Sequence, residues 1–387
     1  MNKRWIGLGI SIIAVAAVGI AVGFYLGQRQ PEGMRAQTVS SPAAAEEMEK
    51  FDVGPRNVKA MLMDGPVLWV GTSEGIVKYT PGTDAFEVFD NQNSGLLSNG
   101  IFYLAKIDGR LWVGTYGGGL SILDGTNWRN YNIPQGLADP FVYGVAKAPN
   151  GDIWIATWSG ANQVVGGRMD DPAAWKTFTV KNTDGGLPND WVYAVGTDAK
   201  GNIWLGTEGG LALFDGKSWK HWDHKKGLGA EYDRVKDALS KAVDPATRSR
   251  HHATQKQEQG LEKIQAPYNP NYIVSMRVDS KGRVWCGTWG GGLSVFKNGK
   301  FKTYTTQEGL VGNYISMIQE GPDGALWAGG SNGLSRLEEG FFRDRFTNFT
   351  QSNGLYSDFV FSMAFGEDDS TWVGSYGGVA HFLKGLK

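Results

Sequence analysis

One cysteine, Cys286, is the whole supply of thiol in this chain. A disulfide framework, a Cys-x-x-Cys metal site and a haem-attachment motif are therefore excluded. Histidine is nearly as scarce: four of the five, His221, His224, His251 and His252, fall close together, but no carboxylates stand at ligand spacing beside them. Neither a metal nor another cofactor is expected. Charge of one sign is also missing, since 38 basic and 39 acidic residues leave a net charge of −1, and no nucleic-acid footprint follows. Long apolar runs are absent with one exception, residues 5–26, which contain no charge.

What the chain does have is glycine and tryptophan, 56 and 15 residues, in a repeating order. Trp69-Val-Gly-Thr72 recurs as Trp112-Val-Gly-Thr115, Trp154-Ile-Ala-Thr157, Trp204-Leu-Gly-Thr207, Trp285-Cys-Gly-Thr288, Trp327-Ala-Gly-Gly330 and Trp372-Val-Gly-Ser375. The steps between anchors are 43, 42, 50, 81, 42 and 45 residues. That is the period of a four-stranded propeller blade. Gly- and Asn-rich turns flank the anchors, because hairpin turns demand positive φ. An aromatic-x-x-aromatic outer strand follows six of the seven anchors, as in Phe301-Lys-Thr-Tyr304, and the seventh lacks one. A spare copy, Met48-Glu-Lys-Phe51, precedes the first anchor. The sequence thus predicts an all-β, seven-bladed propeller over 46–387, closed by an N-terminal strand at about 46–53 that pairs onto the last blade and removes two exposed edges.

These motifs, Asp/Asn-x-x-Gly before the anchor, Trp-x-Gly-Thr-x-Gly-Gly-Leu through it and a Gly-Leu-x-x-Asn loop after the outer strand, resemble two-component regulator propeller repeats. Such repeats form the periplasmic ligand-sensing part of bacterial hybrid sensor kinases. The resemblance implies a periplasmic binding propeller. It does not carry over kinase activity, because the double-size array, the immunoglobulin-like module and the kinase of those proteins have no counterpart in this sequence.

Residues 5–26 would span roughly 33 Å as a helix, enough for a bilayer's hydrocarbon layer. The first small-residue site, Ala43-Ala-Ala45, lies far beyond that run, so residues 1–27 read as an uncleaved single transmembrane helix rather than a signal peptide. Lys3 and Arg4 cluster before it, while Arg29 and Arg35 are offset by Glu32. The expected topology is single-pass in the inner membrane, with the propeller in the periplasm. Residues 28–45, rich in Gln, Pro, Ser and Ala, read as a tether.

Two loop sets share one face of a propeller, and a ligand site is expected there. Directly after the Gly-Thr pair stand Tyr116, Trp158, Trp289 and Tyr376, with Glu208 at the same place in the fourth unit. The Gly-Leu loops add Asn99, Asn189 and Asn313. Rings beside amide and carboxylate groups suit a ligand with apolar faces and hydroxyl edges, such as a glycan fragment. The competing reading is that the rings wedge between blades and the Asn side chains cap turns. The long step between the fourth and fifth anchors holds an insertion at about 227–267. Tyr232, Val235, Leu239 and Val243 are spaced there as in an amphipathic helix, and the insertion could cover the site or dock a partner. With only Met1–Arg4 on the cytoplasmic side, output is expected to need a partner protein. The alternatives are an envelope-assembly scaffold and, from a different class, a propeller lyase or hydrolase. No catalytic constellation is found for the last.

Overall fold

The computed structural model describes residues 48–386 apart from Asp84, residues 240–243 and Phe342. The expected anchor and tether lie outside these residues. Among those described, no helix is long and apolar enough to cross a membrane.

Seven antiparallel sheets follow one another along the chain as the blades of a propeller. Their inner strands are Ala60–Asp64, Ile101–Ile107, Val142–Lys147, Val192–Thr197, Asn269–Val278, Ile315–Glu320 and Val360–Phe365. Each second strand carries its anchor tryptophan inward, and the seven indoles are 0–7% exposed. They pack between blades. Trp69 and Ile76 of the first blade, for example, share a core with Ile101, Leu104 and Leu111 of the second. Burying one such ring contributes roughly 1.5–3 kcal/mol.

The rest of the repeat motif also has physical causes. The Thr of the Gly-Thr pair donates its hydroxyl to a glycine carbonyl three or four residues on, at 2.7–3.0 Å in five blades, closing the turn to the third strand. The Asp before two anchors binds the indole N–H: Asp198 takes Trp204 at 3.2 Å and Asp279 takes Trp285 at 2.8 Å. The Leu of each Gly-Leu loop is a plug between neighbouring blades, with Leu96, Leu137, Leu187, Leu228, Leu310 and Leu355 no more than 3% exposed.

Closure is as expected in kind and longer in extent. Met48–Asn57 is a strand, and Met48 to Asp52 pair with Phe382 to Gly378. One continuous strand, Thr371–Phe382, serves the last blade twice: its first half pairs with Val360–Phe365 and its second half with the N-terminal strand. Phe51 lies 5.2 Å from the Tyr79 ring of the first blade and 5.6 Å from Trp372 of the last, so the strap also joins the two blades.

The described chain separates into two compact units, residues 244–266 and the remainder. Within the propeller unit, the amphipathic spacing expected over 230–243 gives one helical turn, α1 (Tyr232–Val235), followed by a 3-10 turn at Lys236–Ala238. Val235 is fully buried, Tyr268 donates to the Ala230 carbonyl at 2.7 Å, and Arg234 grips Glu308 through two contacts of 2.9 Å. The longer helix of the insertion is α2 (Arg250–Glu258) in the smaller unit, capped by Ser249. There the Lys256 ammonium is buried and bonds Asp244 and the carbonyls of Ile264 and Ala266 at 2.5–2.8 Å.

Candidate binding site at the channel mouth

In six blades the inner strand slips register at a common place, and in the fifth it slips again between Asn269 and Ile273. The pairings Ile101 and Tyr103, Val142 and Gly144, Val192 and Ala194, Ile273 and Ser275, Ile315 and Met317, and Val360 and Ser362 each skip a residue. The skipped residues are Phe102, Tyr143, Tyr193, Val274, Ser316 and Phe361, and Lys59 holds the corresponding place in the first blade. A bulge re-aims one side chain out of the strand's alternation. Repeated around the ring, it sets one residue per blade at the same level of the channel.

The bulged rings of blades two to four touch in sequence, and the row runs on into Tyr272 of blade five. Phe102 is 4.9 Å from Tyr143, Tyr143 4.8 Å from Tyr193, Tyr193 5.0 Å from Tyr272, and Tyr272 stacks on Trp289 at 5.3 Å. A second row runs beside them edge to face: Tyr116 on Phe141 at 4.5 Å, Phe141 on Trp158 at 4.8 Å, and Trp158 on Trp191 at 4.4 Å. The rows join where Tyr116 meets Phe102 at 5.5 Å.

Charge enters this wall at two points. Glu208 is fully buried and accepts the Tyr193 hydroxyl at 2.9 Å. Lys59 lies with its ammonium 4.1 Å from the centre of the Phe361 ring, a cation–π contact. Surrounding protein strips water from that ammonium, and burial lowers its pKa to about 8. Burial also holds the Tyr143, Tyr193 and Tyr272 hydroxyls well above the usual phenol range, and the Glu208 charge adds to it. The Tyr143 hydroxyl is buried and has no hydrogen-bond partner among the described residues.

The expected residues are therefore placed as follows. Tyr116 and Trp158 are half-buried in the edge-to-face row, and Glu208 lies behind Tyr193. Trp289 is 4% exposed, held between Tyr272 and Tyr314. Tyr376 is half-buried and donates its backbone N–H to Phe359. The three amides close loops: Asn99 accepts the Asn91 amide at 2.7 Å, Asn189 the Trp191 amide at 2.7 Å and Asn313 the Thr306 amide at 3.0 Å. Asp190, Asn271 and Asp358 make the same kind of clip after their own outer strands, which accounts for the acidic or amide residue that ends the Gly-Leu motif. The structure thus brings Tyr116, Trp158, Glu208 and Trp289 to one aromatic wall and leaves the Asn oxygens on backbone. Tyr143, Tyr193 and Lys59 escape a motif search because each sits outside the repeated signature. Their common signal is position, each one residue after a fully buried valine, Val142, Val192 or Val58. Among the described residues, no three His, Cys, Asp or Glu side chains gather as a metal-binding group.

Comparison with known proteins places these repeats. The two component regulator propeller model matches residues 186–209 and 267–290, each running from a blade-joining loop through the inner strand to just past the anchor. Two extracellular domains from B. thetaiotaomicron have this fold. One is described as part of a hybrid two component system, BT3049, and superposes with a TM-score of 0.62 at 18% identity, covering 87% of this chain and 41% of that one. The other, of the one component system BT4673, gives 0.60 at 17%, covering 87% and 40%. This chain thus spans about two-fifths of their length. A catalytically inactive virginiamycin B lyase from Staphylococcus aureus, solved with quinupristin, superposes at 0.59 and 12% identity, covering 87% of this chain and 98% of that one. Likeness at these identities is a likeness of fold. No curated protein matches the chain. The two matched segments are thus similar to two component regulator propeller repeats, and the same anchor pattern recurs in all seven blades.

Proposed function

We propose that this chain is a membrane-anchored, extracytoplasmic sensor or interaction module. It binds a small ligand with apolar faces and hydroxyl edges, such as a glycan fragment, at the channel mouth and relies on a partner protein for output. The observation that carries the reading is the Tyr143 hydroxyl, buried with no hydrogen-bond partner among the described residues in the middle of a run of touching rings. An unsatisfied buried hydroxyl costs about 1–3 kcal/mol, and a ligand hydroxyl placed against it would offset that cost. The rings supply stacking surface on either side. The B. thetaiotaomicron relatives, extracellular parts of signalling systems, support the extracytoplasmic placement.

The test is a thermal-shift screen of the full chain against oligosaccharides, followed by titration calorimetry. Tyr143→Phe removes only the hydroxyl, so it should keep or raise the melting temperature while weakening binding by about 0.5–1.5 kcal/mol, up to roughly tenfold. Trp158→Ala should abolish binding. A ligand whose affinity is unchanged in both variants would place the working surface elsewhere on the propeller.

A further inference from the structure

Opposite the channel mouth, the hairpins joining third to outer strands form the other face. Two exposed apolar side chains stand there on neighbouring blades. Phe341, 96% exposed, sits in the hairpin between Gly333–Glu338 and Arg345–Phe349 of the sixth blade. Leu383, 37% exposed, follows the last strand of the seventh. Around Phe341 the charges are unevenly matched. The acidic groups are held: Glu338 by Arg336, Glu339 by Lys281 and Arg283, and Asp344 by Lys302. Arg343 and Arg345 on the same hairpin, and Lys297 and Lys300 on the hairpin of the fifth blade, are exposed and make no ion pair among the described residues. On the hairpins of blades five and six the unmatched charge is therefore positive, whereas the blade-seven hairpin exposes Glu367, Asp368 and Asp369.

This is also the face at which the chain enters the fold. Met48 pairs with Phe382, the hairpin-face end of the last blade's third strand, so the closing strand starts where the other outer strands start. Residues 27–47 alone separate Met48 from the uncharged run 5–26. We propose that the hairpin face of blades five and six rests on the anionic bilayer in which residues 5–26 are anchored. Phe341 enters the headgroup boundary, and Arg343, Arg345, Lys297 and Lys300 face lipid phosphates. An exposed ring beside cations binds an interface by both means, through apolar burial and through attraction to anionic lipid. The proposal rests on reading residues 5–26 as an anchor. It turns the channel mouth away from the membrane, toward solvent.

The experiment uses the full chain carrying Phe341→Cys, labelled with an environment-sensitive fluorophore and reconstituted into phosphatidylglycerol-containing vesicles. Cys286 is buried and stays unlabelled. The expected result is a blue-shifted emission, quenched by lipids bearing a shallow nitroxide. Both signals should be lost in the Arg343→Glu/Arg345→Glu double variant and weakened in phosphatidylcholine vesicles. The same label at Ile133→Cys, on the opposite face, should report water throughout. A chain that fails to float with vesicles would overturn the anchor reading and this one with it. A chain that floats while its Phe341→Cys label reports water would overturn this one alone. A blue shift without lipid quenching would assign the hairpin to a protein partner and overturn it too.

Discussion

The glycine of Trp-x-Gly-Thr is decided by a neighbour that the motif does not contain. At Gly287 an added Cβ would lie 2.5 Å from the Ile315 carbonyl of the next blade and 2.3 Å from the Ser275 hydroxyl, so there is room only for hydrogen. The third blade departs from the pattern with Ala156, and there the facing inner-strand residue is Gly144. A Cβ at Gly144 would find nothing closer than 3.5 Å. Gly287→Ala should therefore destabilise by about 1–3 kcal/mol through overpacking. Gly144→Ala should be neutral or stabilise by about 0.4–1 kcal/mol, because it restricts the unfolded chain. Denaturant melts of the two variants read the difference. At this scale the sequence was legible wherever a residue type answers a local demand: the anchor tryptophans, the turn glycines, the hydroxyl clip. Tyr143 and Tyr193 were not, because a bulge is a property of pairing register, and the same aromatic one position earlier would be core.

Among the elements, the closing strand is held by a titratable clasp. His381 is buried, stacks on Trp372 with ring centres 3.5 Å apart, and meets Glu49 of the strap at 3.0 Å. Burial lowers its pKa below the usual 6.5, although Glu49 pulls the other way. The folded state thus binds this proton less readily than the unfolded state. The stability it contributes is present above pH 6.5 and is lost as pH falls through the lowered value. The wild-type chain should lose stability in that acid window, and His381→Gln should flatten the loss, as read by melting temperature against pH. The strap was foreseen because six outer strands cannot serve seven anchors. The insertion was foreseen as an excess of length with an amphipathic helical spacing over Tyr232, Val235 and Leu239. Its apolar spacing at 232–239 is satisfied by one turn against the propeller, with Val235 as the buried point. Helix α2, by contrast, is polar on nearly every position, so periodicity is silent there and only the Ser249 cap announces it.

For the whole molecule, stability depends on the ring being shut. A chain truncated to begin at Asn57 loses the Met48–Asp52 pairing and Phe51, leaving an open edge on the last blade and an uncovered Tyr79 and Trp372 at the junction with the first. It should melt earlier and less cooperatively than a chain beginning at Glu46, and should aggregate through its free edge. Equal melts for the two would show that the remaining contacts of the last blade hold it in place without the strap.

The strap also sets a schedule. Glu49 and His381, bonded in the finished fold, are 332 positions apart. At a synthesis rate of roughly 5–20 residues per second, on the order of tens of seconds pass between the emergence of the first and the second. Throughout that interval the N-terminal strand has no partner to pair with, and the first blade presents its Tyr79 side uncovered. Each intermediate blade can dock on the one before it as it appears, but the ring cannot shut until residues 378–382 are made. A ribosome stalled before residue 378 therefore leaves an unclosed set of blades whose N-terminal strand is still without its partner.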